Sequence, residues 1–314
     1  MSLFGVININ KPGGVTSRWV VDQVQRLVRP AKSGHAGTLD PLAAGVLVVC
    51  VGPATRLVPY VQQMPKRYAV TFLLGRTSDT DDVEGSITLL DNAPRPSPGA
   101  IRQAAADLVG EILQRPPAYS AIKVQGRRAY QLARSGKPPV LPPRTVTVRA
   151  IDIVKYEYPE LMLDIQCGSG VYVRSLGRDL AESLGGGAVM SALTRTAIGA
   201  FQIEDACDPR KLTRDNIGEF LLPPRLAAAS LPLVTLTSEE ARRLAGGLTV
   251  KRAATPPAQV KELPSPKEEF AATDDELPSP DEEFAALDEA GRLVAIVRSR
   301  CGELRPLRNF PREC

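Results

Sequence analysis

The stretch GHAGTLDPLAAGVLVVCVG, residues 34–52, sets the reading of the whole chain. Its residues 46–51 form a continuous apolar run rich in valine, which predicts a buried strand about six residues long. The glycine-rich loop before that strand must then lie at a sheet end, where sites tend to be built. That loop region carries His35, the only histidine of the chain, and, five residues later, Asp40.

Working outward, the apolar patterning predicts further strands at residues 4–10, 68–74, 87–90, 145–156, 161–167 and 193–198. Helices are expected at residues 17–28, 100–109, 128–135, 173–184 and 238–245, several opening after a Ser or Thr cap and closing at Gly. Without a strict βαβ rhythm, this order predicts an α+β protein with a large mixed or antiparallel sheet. A proline-rich break at residues 221–232 separates that part, residues 1–225, from a small β-rich C-terminal domain, residues 226–314.

The C-terminal part holds a tandem copy: ELPSPKEEFAATDD from Glu262 is followed at once by ELPSPDEEFAALDE from Glu276. Two repeats of 14 residues are too short and too few for a solenoid. The second copy runs into FAALDEAGRLVAIVR, where two apolar stretches flank a turn at residues 289–292, so it reads as a hairpin. The first copy reads as an added loop, and together the copies form an acidic duplicated insertion at residues 262–289.

Charge divides unevenly along the chain. Residues 261–289 carry eleven carboxylates against two lysines, a net of −9, while the whole chain has a net of +4, leaving +13 on everything else. Such a balance is the electrostatic footprint of a polyanion binder. The 43% hydrophobic and 24% charged composition is that of an ordinary globular protein. No apolar run approaches the roughly 18 residues of a membrane span, so a cytoplasmic location is expected. Five cysteines at 50, 167, 207, 301 and 314 never form a C-x-x-C pair, which suggests neither a disulfide framework nor a zinc knuckle. A single histidine rules out H-E-x-x-H metal chemistry. Carboxylates, tyrosines or cations must therefore carry any reaction.

Several short motifs offer such groups. KPGGVTS, residues 11–17, precedes a helix but lacks the G-K-[ST] ending of a phosphate-binding P-loop. GRTSDTDDVEG, residues 75–85, packs acids into a loop without the EF-hand spacing, so no metal is assigned to it. KRYAV, residues 66–70, opens an alternating strand in which Tyr68 is either a half-buried strand aromatic or a functional group. GVYVRSLGRDL, residues 170–180, sets Tyr172 and Arg174 at a helix start, where the dipole disfavours a cation unless it has an anionic partner. Asp40 alone, followed by Pro41, would read as a turn.

These segments, with GPATR, PPAYSAIKVQGRRAYQLAR and LTRTAIGAF, stand in the order seen in the TruB family of tRNA pseudouridine synthases, which this chain resembles over about residues 3–225. The C-terminal part resembles, more weakly, the PUA-like RNA-binding domain of many bacterial members. Gly168, Val171 and Arg56 depart from the residues usual there. The resemblance implies isomerisation of uridine to pseudouridine at position 55 in the T loop of tRNA, with Asp40 as the essential carboxylate, no cofactor and no metal. It implies that Arg174 pairs with Asp40 and lowers its pKa. It further implies that Tyr68 stacks on a flipped uracil, that Tyr172 and Leu193 line the uracil pocket, and that Asp82 lies near the substrate. His35 would occupy the space the base vacates, and Lys11 would support the floor of the site. The expected partner is the T stem-loop of tRNA, with no membrane and no obligatory protein partner, and the chain is expected to be a monomer. The competing possibilities are a noncatalytic RNA-binding or RNA-folding module and a pseudouridine synthase for another RNA.

Overall fold

The computed structural model describes residues 3–251 and 282–311, apart from residues 121, 125, 137, 138 and 301. The first copy of the acidic duplication and the opening of the second, residues 262–281, lie outside the described residues. The chain is an α+β protein built on a nine-stranded mixed sheet. Its central path runs Gly5–Lys11, Ala44–Val51, Ala188–Ile198, Lys66–Leu74, Glu160–Cys167, Arg144–Glu157 and Gly110–Gln114. Every pairing is antiparallel except the short parallel contact of Thr194 with Ala44 and Arg195 with Gly45. At that contact Gly45 has φ +101, and a Cβ there would lie 2.2 Å from the Arg195 carbonyl oxygen. Only glycine lets the two backbones meet.

The valine-rich run is continuous because Ala44–Val51 is covered on both faces. Leu47, Val49 and Val51 pack against Val20, Val24 and Val28 of helix Ser17–Val28, while Val46, Val48 and Cys50 face Leu57, Val61 and residues of the C-terminal sheet. The helix begins where Thr16 accepts a hydrogen bond from the Trp19 amide. A third cluster joins Tyr68, Val70, Phe72 and Leu74 to Leu176 and Leu180 of helix Val173–Ser183. The period-2 burial of Lys66–Leu74 puts Lys66 and Tyr68 on the same inward face.

The expected strands and helices all form, with ends shifted by up to five residues, the largest shift being the strand expected at 193–198, which begins at Ala188. Helix Pro98–Ala106 starts earlier than expected because Ser97 caps it ahead of Pro98. Strands Gly110–Gln114 and Ser33–His35 were not anticipated. His35 therefore ends a short strand, paired with Val49, and does not stand inside the loop.

The C-terminal sheet runs Leu233–Thr235, Glu283–Leu287, Leu293–Arg300, Glu303–Asn309 and Val250–Lys251. The second copy of the duplication enters it as the expected hairpin, since Glu283–Leu287 pairs antiparallel with Leu293–Arg300. This sheet docks on the larger one through Phe310, stacked on Phe4 at 5.7 Å, and through the Tyr60 hydroxyl, which donates to Glu283 at 2.6 Å. Arg56 lies over the Phe310 ring at 5.4 Å, a contact that suits a guanidinium.

Gly177 seats helix Val173–Ser183 on the sheet, since a Cβ there would meet the Phe72 ring at 2.0 Å. Gly177→Ala is expected to cost about 1–3 kcal/mol through overpacking and to lower Tm by several degrees in thermal unfolding. An unchanged Tm would show that the helix does not depend on this close approach.

Candidate active site

Asp40 sits in the loop between Ser33–His35 and Ala44–Val51, and that loop is pinned from three sides. Buried Ser17 donates to the Leu39 carbonyl at 3.0 Å and accepts from the Leu39 amide at 2.9 Å. Lys11, fully buried, donates to the carbonyls of Pro12, Val15 and Pro41 at 2.9, 2.6 and 3.3 Å. Arg195 donates from Nη2 to the Gly37 carbonyl at 3.1 Å and from Nε to the Val46 carbonyl at 2.8 Å. The KPGGVTS segment thus holds the Asp40 loop through its lysine and serine.

Arg174 enters from the first turn of helix Val173–Ser183 and organises the acids. Its Nε lies 3.0 Å from Asp40 Oδ2, while Nη1 reaches the Thr80 carbonyl at 2.7 Å and Asp82 Oδ2 at 3.2 Å. Its Nη2 donates to the Tyr119 carbonyl at 3.0 Å. Asp82 Oδ1 in turn accepts from Thr80 Oγ1 at 2.6 Å and from the Glu84 amide at 3.0 Å. Side-chain exposure is 7% for Arg174, 3% for Asp82 and 35% for Asp40. Only Asp40 presents its carboxylate to a ligand. The anionic partner expected for an arginine at a helix start is therefore a pair of carboxylates.

Arg174 acts to lower the Asp40 pKa as expected, but the net shift is upward. Burial pushes the carboxyl above its ordinary value, and Arg174 and Lys11 only partly oppose that rise, while Asp82 adds to it. Desolvation outweighs the ion pair.

Asp40, Tyr68, Tyr172, Arg174 and Leu193 line one cleft of about 380 Å³, in the range of small-ligand pockets. Tyr172 is fixed by Gln114, which accepts from the Tyr172 amide at 2.8 Å and donates to its carbonyl at 3.1 Å. Burial raises the Tyr68 phenol, opposed by the nearby Arg195. Asp82 lies behind Arg174 and does not line the cleft. His35 does not line it either; its Nδ1 is buried with no hydrogen-bond partner among the described residues, and burial together with Arg195 and Arg18 lowers its pKa, keeping the ring neutral.

Lys66 and Arg195 also line the cleft and were not singled out from the sequence. Their signal was there: each is a cation at an inward position of an alternating strand, K-x-Y-x-V and L-x-R-x-A. Among the described residues no group of three His, Cys, Asp or Glu side chains is placed to hold a metal ion, and no helix is long and apolar enough to cross a membrane.

Comparison with known proteins agrees with this architecture. Residues 25–173 match the family described as TruB family pseudouridylate synthase (N terminal domain). The tRNA pseudouridine synthase B of Dehalococcoides mccartyi is 38% identical over 85% of this chain and 91% of its own length. That of Gluconacetobacter diazotrophicus is 43% identical over 78% of this chain and 82% of its own. The synthase of Rhodopirellula baltica is 34% identical over 99% of this chain and 95% of its own. Among solved structures, a chain of a Cbf5-Nop10-Gar1 complex superposes with a TM-score of 0.68 at 25% identity, covering 95% of this chain and 78% of that one. A chain of an H/ACA RNP bound to a substrate RNA containing 2'-deoxyuridine has the same fold, with a TM-score of 0.71 at 21% identity over 98% of this chain and 86% of that one. With relatives 34–43% identical matched over most of their length, the chain belongs to the TruB family of pseudouridylate synthases.

Proposed function

We propose that this chain isomerises uridine to pseudouridine at position 55 in the T loop of tRNA, acting in the cytoplasm with Asp40 as its catalytic carboxylate. The observation that carries this reading is the Asp40–Arg174 pair: one partly exposed carboxylate, held at 3.0 Å by a buried arginine, in a cleft it shares with Tyr68. A protein that only bound RNA would gain nothing from placing a carboxylate in a basic cleft, since it repels phosphate. Residues 1–225 serve as the catalytic domain and residues 226–314 as a PUA-like RNA-binding domain carrying the acidic duplication at 262–289, whose second copy supplies the sheet strand Glu283–Leu287.

The reaction breaks the bond between uracil N1 and ribose C1′, turns the base and joins C5 to C1′. Asp40 acts in its ionised form, either as a nucleophile or as the base that removes a ribose proton. Arg174 holds the carboxylate in place and supplies the charge that keeps it ionisable in a desolvated site. Asp82 is a positioning residue, because it reaches the reaction only through Arg174. Tyr68 stacks on the expelled uracil, a contact worth about 1–3 kcal/mol, and Tyr172 and Leu193 close the pocket around the base. His35, neutral and at the edge of the Asp40 loop, takes the place left in the RNA when the base is flipped out, at a cost of a few kcal/mol.

Asp40→Asn keeps the shape and removes the charge, so tRNA binding should stay within several-fold of the parent while pseudouridine formation is lost. Carbodiimide-dependent reverse-transcription stops on an unmodified tRNA transcript measure the product, and turnover near the parent rate would remove Asp40 from the mechanism. His35→Ala should slow reaction on an intact T stem-loop more than on one whose loop stacking is already disrupted. Equal slowing on both substrates in single-turnover assays would contradict the opening role.

A further inference from the structure

Arg195 is 2% exposed and Lys66 9% exposed, yet both line the active-site cleft. Their placement follows from strand register. Lys66 and Tyr68 are two residues apart on one strand, and Arg195 stands directly opposite Tyr68 on the next, so all three face the same side of the sheet.

Neither cation has a carboxylate partner among the described residues. The Arg195 guanidinium is held by the carbonyls of Val46 and Gly37, and the Lys66 ammonium by those of Gln62 and Met64, at 2.5 and 2.6 Å. The acids beside them are neutral at physiological pH: burial lifts the Cys167 thiol to about 12 and also raises the Tyr68 phenol. Burial and the charge of Arg195 lower Lys66 to about 8, as expected for two cations sharing a wall. Arg174, by contrast, is neutralised by Asp40 and Asp82. One end of the cleft is thus an ion-paired acid site and the other an uncompensated positive wall. Burying unpaired cations is costly, which makes such a wall a preorganised complement to an anion.

We propose that Lys66 and Arg195 stabilise the negative charge that develops on the uracil ring once it is detached from the ribose. This rests on the proposed isomerase activity. When the N1–C1′ bond breaks, its electron pair stays on N1 and spreads onto O2 and O4 of the ring. C1′ is meanwhile captured by the Asp40 carboxylate, or joins C2′ in a double bond as Asp40 takes the C2′ proton. After the ring turns, an electron pair of the anion forms the C5–C1′ bond. That step releases the carboxylate or returns the proton to C2′; C5 then loses its proton and N1 gains one, so substrate and product are isomers. The cations act on the one species in this sequence that carries negative charge on the base. A phosphate contact is the competing use of such a wall, but phosphates lie along the backbone at the mouth of a cleft, whereas these side chains are deeply buried.

The test compares the parent with Lys66→Met, which keeps the length of the side chain and removes its charge, and with Arg195→Lys, which keeps the charge and loses the planar fork. Single-turnover rates at saturating enzyme and Kd across a salt series are measured on tRNA, and then on the same tRNA carrying 5-fluorouridine at the target, followed as loss of the intact nucleoside. Fluorine acidifies the ring and makes it a better leaving group. Lys66→Met should cut the rate on uridine by about 10²-fold, leave Kd within about threefold with the same salt slope, and show a deficit several-fold smaller on 5-fluorouridine. Arg195→Lys should lose less than Lys66→Met and show the same pattern. A weaker Kd with an unchanged saturated rate and a salt slope reduced by about 1 would overturn the proposal in favour of a phosphate contact. Equal deficits on uridine and 5-fluorouridine would overturn it in favour of a structural role. Parent turnover on tRNA tests the isomerase reading in the same assay, and its absence would overturn both, so the two failures are distinct.

Discussion

The site depends on a single guanidinium. Arg174 leaves the start of its helix, where its charge is unfavourable to the helix dipole, and spends every face of its planar group on fixed acceptors: Asp40, Asp82 and the carbonyls of Thr80 and Tyr119. Loop 79–85, the segment before residue 120 and the Asp40 loop are all tied to one side chain. A lysine could not serve, because its ammonium lacks the fork that reaches four groups in different directions. The same clamp explains why Asp40 remains available: Nη1 holds the buried Asp82, and Nε holds Asp40 at the edge of the cleft.

The sheet supplies the frame for that clamp. Ala44–Val51 is buried by helix Ser17–Val28 on one face and by a cluster with Leu57 and Val61 on the other, so the strand that follows the Asp40 loop cannot shift without disturbing both. Helix Val173–Ser183 is fixed through Gly177 against Phe72, on the same strand that carries Lys66 and Tyr68. Asp40, Tyr68 and the cations thus sit on elements that are rigid for ordinary packing reasons, as a preorganised site requires.

Much of this was legible from residue order. The run at 46–51, the capped helix at 17–28 and the alternation at 68–74 each carry a strong local pattern, and each formed where expected. Ser33–His35 and Gly110–Gln114 were missed because three- and five-residue strands with glycine or charge in them have no periodicity of their own; pairing with Val49 and with residues 144–148 makes them strands. The family-like segments pointed to Asp40, Tyr68, Tyr172, Arg174 and Leu193, which the fold gathers into one cleft, but gave no sign that Asp82 lies behind the arginine or that His35 stands outside the lining. Arg174 lowers the Asp40 pKa as expected, but the net upward shift was not legible in the sequence, for a physical reason. Sequence names the neighbouring charges, whereas desolvation depends on how much of the carboxylate the fold removes from water.

The most direct measurement is the pH dependence of the single-turnover rate of pseudouridine formation on tRNA by the parent protein. The proposed mechanism needs Asp40 ionised, and burial holds its carboxyl above the ordinary value of 3.8. The rate should therefore rise with pH through a midpoint above that value and fall away on the acid side while tRNA remains bound. A rate that stays flat down to the ordinary carboxylate range, or a midpoint below 3.8, would contradict the account of a desolvated, arginine-clamped aspartate as the catalytic group.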